Sequence, residues 1–357
     1  MKRMAGFLSK YPFVPMLLAL PLVLVAQTMG WGPVWTFILA ALGIIPLAAY
    51  IGEATEALAT YTGPRVGALL NATLGNAAEL IITIVAVQAG LLELVKASIT
   101  GSILGNLLLV LGLSMTVGGV RFGLQSFDRR NAGRNAVLLM LAVAALVIPS
   151  LLSHSIGPEG SPRVEALSLG VAVIMMVLYG LGLLDAARSS ESPISHVLAE
   201  GDLPHWTPTQ SIVILALATG GIVWMSEVLV HVAEDVISGL GISEFFLGII
   251  LIPIIGNVAE HLVAVQMAAK NKMDLSVEIA ISSSLQIALF VAPLLVFVSL
   301  ALGHPLQIVF NQFELLALLA GVVIAAFVSG DGESSWLEGA GLLGVYLILS
   351  LAFFLMP

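Results

Sequence analysis

The chain has 357 residues, of which 59% are hydrophobic and 10% charged, with a mean hydropathy of +1.07 and a formal net charge of −9. So few charges cannot cover that much apolar surface in water, so the composition requires a bilayer and excludes a soluble fold. The charge is scattered, no basic aromatic patch is present and cysteine is absent, which excludes nucleic-acid partners, disulfides, thiolate zinc sites and thiol catalysis.

The hydrophobic residues fall into blocks of about 18–28, the length of a helix that crosses a hydrocarbon core, and a lipid-exposed segment must satisfy its own backbone. Eleven spans are expected, near 12–29, 33–60, 64–89, 91–118, 133–153, 163–185, 208–233, 244–269, 275–302, 311–329 and 334–356. Lys2, Arg3 and Lys10 precede the first span, and no small-x-small cleavage pattern follows Val25-Ala26-Gln27, so that span is expected to be retained. The longest polar interruption, Asp185 to Thr207, with Asp185, Glu191, Glu200 and Asp202 against Arg188, reads as a solvated linker helix.

With the N-terminus in the cytoplasm, eleven of the 13 Lys and Arg residues fall on that side, including Arg121, Arg129, Arg130, Arg134, Lys270 and Lys272. Lys96 and Arg163 fall opposite. The positive-inside rule then predicts a cytoplasmic N-terminus and an outer C-terminus. The compact chain without long tails suits a prokaryotic plasma membrane.

An internal repeat runs at an offset of 181 residues: Gly75-Asn76-Ala77-Ala78-Glu79 falls on Gly256-Asn257-Val258-Ala259-Glu260. Without a gap, the same offset places Glu53 on Glu234, Ser102 on Ser283, Leu104 on Leu285 and Gly105 on Gln286. Five spans per half make the copies inverted. The expected fold is therefore an all-α polytopic membrane protein: an extra N-terminal helix (1–32), a five-helix repeat (33–185), a cytoplasmic acidic linker (186–207) and a second five-helix repeat (208–357). Inverted repeats of this kind place a substrate site near the midplane, where their interrupted helices meet.

Glu79 and Glu260 lie near the middle of apolar spans, where an ionised carboxylate costs about 3 kcal/mol or more. No Lys or Arg lies at comparable depth, so protons or a bound cation must neutralise them. Calcium takes six to eight oxygens at about 2.3–2.6 Å from carboxylates, amides, backbone carbonyls and water. Asn76 and Asn257 stand three residues before each glutamate on the same helical face. Gly75 and Gly256, with Pro253 nearby, are where the helices are expected to loosen and free backbone carbonyls. One such motif could equally be a packing device in which small residues allow close approach and polar ones hydrogen-bond across helices. Two opposed copies, each with a buried glutamate, favour function.

Ser102, Ser283 and Gln286, on the spans that follow the motifs, are expected to complete the shell or support it from behind, although serine in a membrane helix often only packs. Asn106 has no polar counterpart, because Ile287 stands there. Glu53 and Glu56 in the second span, and Glu227, His231 and Glu234 in the seventh, are spaced to share one helix face each. They read either as cation-gathering or proton-relaying groups at the two mouths or as ordinarily solvated interfacial carboxylates. His261, beside Glu260, has Leu80 as its counterpart and reads as a packing histidine or a proton shuttle.

Gly-Asn-Ala-Ala-Glu at 75–79, Gly-Asn-Val-Ala-Glu-His at 256–261 and the companion segments Gly101–Val110 and Ser282–Phe290 resemble the calcium/cation proton antiporter (CAX) family of the wider calcium/cation antiporter superfamily. The resemblance covers nearly the whole chain, departing at Ser282, where a glycine is expected. It implies an antiporter that exchanges calcium, or another divalent cation, for protons at Glu79 and Glu260, with Asn76, Asn257, Ser102, Ser283 and Gln286 as site neighbours. No cofactor is implied beyond the transported Ca2+ and H+, the lipid bilayer is the surrounding partner, and a homo-oligomer is left open. The nearest rival is a sodium/calcium exchanger of the same superfamily, whose members carry further acidic ligands where Asn106 and Ile287 stand here. A channel would need a continuous polar pore, which the apolar faces around the motifs argue against. An intramembrane hydrolase lacks a His-Glu-x-x-His or paired-aspartate pattern, so an enzyme is not expected.

Overall fold

The computed structural model describes residues 13–62, 64–188 and 206–356. Most of the linker expected at 186–207 lies outside the described residues. The apolar blocks form helices in chain order: α1 (Val14–Met29), α2 (Pro33–Thr62), α3 (Pro64–Leu74), α4 (Ala77–Gln88), α5 (Leu92–Phe122), α6 (Arg129–Ile156) and α7 (Pro162–Arg188). After the linker come α8 (Pro208–His231), α9 (Ala233–Leu240), α10 (Glu244–Ala269), α11 (Met273–Ala301), α12 (Gln312–Val328) and α13 (Trp336–Phe354).

Among the described residues, eight helices (α2, α5, α6, α7, α8, α10, α11 and α13) are long and apolar enough to cross a bilayer. The shorter apolar helices are α1, α4 and α12. The expected span 244–269 coincides with α10, whereas the expected span 64–89 divides at Gly75-Asn76 into α3 and α4. The expected span 208–233 ends at His231, and α9 begins one residue later, after Val232.

Helix ends follow local chemistry. Asp128 caps α6 by accepting from the backbone N–H groups of Arg130 and Asn131. Thr207 with Gln210, Asn311 with Glu314 and Ser335 with Glu338 form reciprocal capping boxes at α8, α12 and α13. Gly241, at φ 65°, closes α9 in a left-handed turn that a side chain would strain. Two short strands, β1 (Gln125–Ser126) and β2 (Glu333–Ser334), pair antiparallel, with Gln125 opposite Ser334, and tie the α5–α6 loop to the α12–α13 loop.

Burial sorts the helices. In their most apolar stretches α5 and α11 are 72% and 67% buried, whereas α7 and α13 are each 22% buried and present leucines, isoleucines and valines outward. A helix apolar on all sides but little buried is matched to lipid; the helices apolar and buried form the centre. The two helices that carry Ser102, Ser283 and Gln286 are therefore the innermost pair, α5 and α11. Both contain a π-helical stretch, Gly105–Val110 and Ile287–Val291. A third, Leu247–Leu251, opens α10.

Candidate functional site

The two motifs differ in backbone. Asn76, at φ −95° and ψ 22°, is outside the helical region, so α3 stops and α4 starts anew with Glu79 in its first turn. The exposed N–H groups of a helix start favour an oxygen-rich or anionic neighbour there. Gly256 and Asn257 remain helical within α10, and the Asn257 amide donates to the Pro253 carbonyl at 3.0 Å. The expected loosening thus holds at Gly75 and not at Gly256. In α10 the irregularity lies one turn earlier, in the π-helical Leu247–Leu251, because Pro253 has no N–H to offer the carbonyl of Ile249.

The halves meet through their glycines. A Cβ built on Gly256 would lie 3.0 Å from Glu79 Cγ and 3.5 Å from its carboxyl carbon. A Cβ on Gly75 would lie 3.6 Å from Glu260 Oε1. Each glutamate therefore packs against the other half's motif glycine, and the absence of a side chain there makes the approach possible.

Cross-half hydrogen bonds set the amides. Asn76 donates its Nδ2 to Gln286 Oε1 on α11. Asn257 donates its Nδ2 to Ser102 Oγ on α5 at 3.2 Å. Ser283 donates to Glu260 Oε2 at 2.6 Å, and Thr83 donates to the backbone carbonyl of Glu79 at 2.6 Å. With both amide N–H2 groups engaged behind them, the carbonyl oxygens of Asn76 and Asn257 are buried without a hydrogen-bond partner among the described residues, as is Glu79 Oε1. Buried acceptors are rarely left unmatched in a relaxed fold. Three such oxygens together with the Glu260 carboxylate make an acceptor-rich cluster, bordered by the unmatched Nε2 donor of Gln286, whose chemistry fits a hard cation or protons. Among the described residues no three Asp, Glu, His or Cys side chains are grouped to hold a metal. A cation held here relies on two carboxylates supplemented by amide and backbone oxygens.

The other expected residues are placed as follows. His261 is buried beside Glu260, and its Nε2 has no hydrogen-bond partner among the described residues. Gln286 is fully buried and holds Asn76 from behind. Asn106 is buried within the π-helical stretch of α5. Glu53 and Glu56 on α2 and Glu227 on α8 are exposed rather than drawn into the centre. Glu234, also exposed, lies in the first turn of α9, so it does not share a continuous helix with Glu227 and His231 as expected; the chain turns at Val232.

Sequence reasoning passed over a further acidic set. Asp128, Asp274 and Glu278 line a cavity of about 50 Å³ with Asn131 and Asn135, and Asn135 Oδ1 is buried there without a hydrogen-bond partner among the described residues. Glu278 lies inside the expected ninth span, one turn before Ser282 and two before Gln286, and that depth was the available signal. Lys96, buried near the start of α5, is paired with Glu93 at 2.6 Å and Glu159 at 3.0 Å, away from the motifs.

These features define a polytopic helical membrane protein whose two separate acid-amide motifs converge between its innermost helices. The chain belongs to the sodium/calcium exchanger protein family, whose model matches residues 32–184 and 210–355. It is 43% identical over 360 residues to a Ca2+/H+ antiporter of Aphanothece halophytica, covering 97% of this chain and 96% of that one. It is 42% identical over 349 residues to the Ca2+/H+ antiporter ChaA of Bacillus subtilis, covering 96% and 99% respectively. Among solved structures, native YfkE superposes with a TM-score of 0.84 at 40% identity, covering 96% of this chain and all of that one. The H+/Ca2+ exchanger CAX shares the fold, with a TM-score of 0.74 at 15% identity.

Proposed function

We propose that the protein is a secondary active antiporter that exchanges Ca2+ for H+ by alternating access, with Glu79 and Glu260 as the shared binding groups. The observation that carries this reading is the cluster of buried acceptor oxygens on Glu79, Asn76 and Asn257 beside the Glu260 carboxylate, with no lysine or arginine in ion-pair distance of either glutamate among the described residues. The close relatives' activities agree with it.

Two bare carboxylates in one desolvated site repel each other, so the pair holds either protons or a divalent cation. Coordination requires deprotonated ligands, hence a calcium ion arriving displaces the protons. Asn76 and Asn257 supply neutral carbonyl oxygens, fixed in direction by Gln286 and Ser102. Only the neutralised occupancies rearrange, which couples the two ions and prevents leak.

The architecture that goes with this function is eleven spans: the eight long apolar helices with α1, α12 and a third span made of α3 and α4 together. They divide into α1 and two inverted repeats, 33–185 and 208–357. The register of the π-helical stretches supports the repeat, since residues 106–110 map onto Ile287–Val291 at the offset of 181. The N-terminus is cytoplasmic and the C-terminus outside, in a plasma membrane. Glu53, Glu56, Glu227 and Glu234 then stand near the mouths, and Asp128, Asp274 and Glu278 line a cytoplasmic vestibule.

The test is calcium uptake into proteoliposomes driven by a pH gradient. Uptake should collapse with a protonophore, persist without sodium and vanish in Glu79→Gln and Glu260→Gln. Uptake driven by a sodium gradient and indifferent to pH would transfer the reading to a sodium/calcium exchanger.

A further inference from the structure

The two halves hold matched residues in unmatched surroundings. In the second half, the segment leading to the motif is shut against α5: Leu247 and Ile250 are buried, and a Cβ on Gly248 would lie 2.7 Å from Ala97 Cβ and 2.9 Å from the Leu94 carbonyl. Gly101, one turn after Ala97, presses on the Ile249 carbonyl that Pro253 leaves free. Ala97 and Gly101 form the small-residue face that lets two helix backbones touch. In the first half the positions equivalent to Leu247 and Ile250 are Val66 and Leu69, exposed at 48% and 49% on α3, and the helix is broken from α4. The second-half segment is shut against α5, whereas its first-half counterpart leans on α2 instead, where a Cβ on Gly67, the equivalent of Gly248, would lie 2.9 Å from the Ala59 carbonyl.

Exchanging the halves predicts what the opposite-facing arrangement must do. Ser102, now bonded to Asn257, would turn to Glu79, and Ser283, now bonded to Glu260, would turn to Asn76. The first-half segment would have to close against α11. There the sequence is not symmetric: Glu278 and Ser282 stand where α5 has Ala97 and Gly101, and Gly105 stands where α11 has Gln286. The mirrored closure lacks the small-residue face, and the Asn76–Gln286 hydrogen bond has no counterpart because Gly105 has no side chain.

We propose that Gly101 and Gln286 act as positioning residues that bias this carrier toward the arrangement with the second-half segment shut, and that Ser282 and Gly105 are the positions that keep its mirror image less stable. This rests on the exchanger reading for its meaning in transport. By the proposed orientation, the favoured arrangement opens toward the cytoplasm, on the side of the Asp128, Asp274 and Glu278 cavity.

The natural absence of cysteine makes the test direct. Asn71 and Ile252 are equivalent positions, the first partly exposed and the second buried at 2%. Single cysteines at these positions, labelled with a membrane-impermeant maleimide in liposomes without ion gradients, report each side's opening. In the otherwise unmodified chain Asn71→Cys should label quickly and Ile252→Cys slowly. Gln286→Ala, Ser282→Gly and Gly105→Gln should each slow the first and speed the second, by roughly fivefold, the factor that one net buried hydrogen bond carries. Gly101→Ser should act in the same direction more strongly. Because Gly101→Ser could misfold, Ser282→Gly and Gly105→Gln, which add no bulk at the closed contact, serve as independent checks, with elution as a monodisperse species required of each variant. Unchanged labelling at both positions in all the folded variants, or a shift the opposite way, overturns the inference. Labelling reads conformation whether or not calcium moves. A labelling shift without proton-coupled uptake would refute the exchanger reading alone, and uptake with unshifted labelling would refute the bias alone.

Discussion

Glu79 and Lys96 are each 5% exposed, each in an apolar helix, and they meet the burial of charge in opposite ways. Lys96 is neutralised by two carboxylates whose side chains are 62% and 59% exposed, so the pair sits at a helix start with water near its acidic partners. Glu79 faces Gly256, unmatched amide oxygens and a second glutamate, with no cationic side chain in ion-pair distance among the described residues. The first arrangement is complete as it stands and reads as a structural clasp between α5 and the α6–α7 loop. On the proposed reading the second is completed by a cation or protons supplied from outside, since an intramembrane ionisable group without an internal partner is by default a functional-site hypothesis.

The sharpest way to break this contrast is to remove the central charges. Glu79→Gln or Glu260→Gln should reduce pH-driven calcium uptake by at least about a hundredfold, because a neutral amide has no acidic proton to release to an arriving metal and no charged oxygen to bind it. Yield and thermal stability should be kept or improved, measured by the detergent-solubilised melting curve. A variant that retains near-normal uptake would end the proposed mechanism. Gly256→Ala should cost roughly ten- to a hundredfold, since its Cβ would press on the Glu79 side chain and displace a ligand. Asn76→Ala and Asn257→Ala should each weaken apparent calcium affinity by about tenfold or more, read as a rise in the half-saturating calcium concentration.

Acidification should sharpen the comparison from the other side. If two protons compete for the pair, half-saturating calcium should rise by up to about a hundredfold per pH unit as pH falls on the calcium side, and a slope of zero would remove proton competition. The smallest effect is expected at the clasp. Lys96→Met should leave Glu93 and Glu159 solvated, lower the melting midpoint by about 2–4 °C and change uptake less than about threefold. A complete loss of uptake in a folded Lys96→Met protein would place the lysine in the transport path and dissolve the distinction.

Much of the molecule was legible residue by residue. Hydropathy located the helices because lipid imposes a one-dimensional rule: about twenty apolar residues, internally hydrogen-bonded. The recurrence of Gly75–Glu79 at Gly256–Glu260 singled out the two motifs, since ionisable groups are costly in that setting whatever surrounds them. Sequence reasoning also placed Ser102, Ser283 and Gln286 beside the motifs, and all three hydrogen-bond there.

What the chain determined by itself was therefore a membrane-spanning helical protein with a duplicated acid-amide motif, because those properties reside in local composition and register. Only the tertiary structure decided that α3 and α4 are broken while α10 runs on, that Asn76 pairs with Gln286 but Asn257 with Ser102, and that Glu278 joins Asp128 and Asp274 around a cavity. Those outcomes depend on which side chains meet across more than a hundred intervening residues, and on which of two near-equivalent packings has the lower free energy. Neither is written in the periodicity of any one helix.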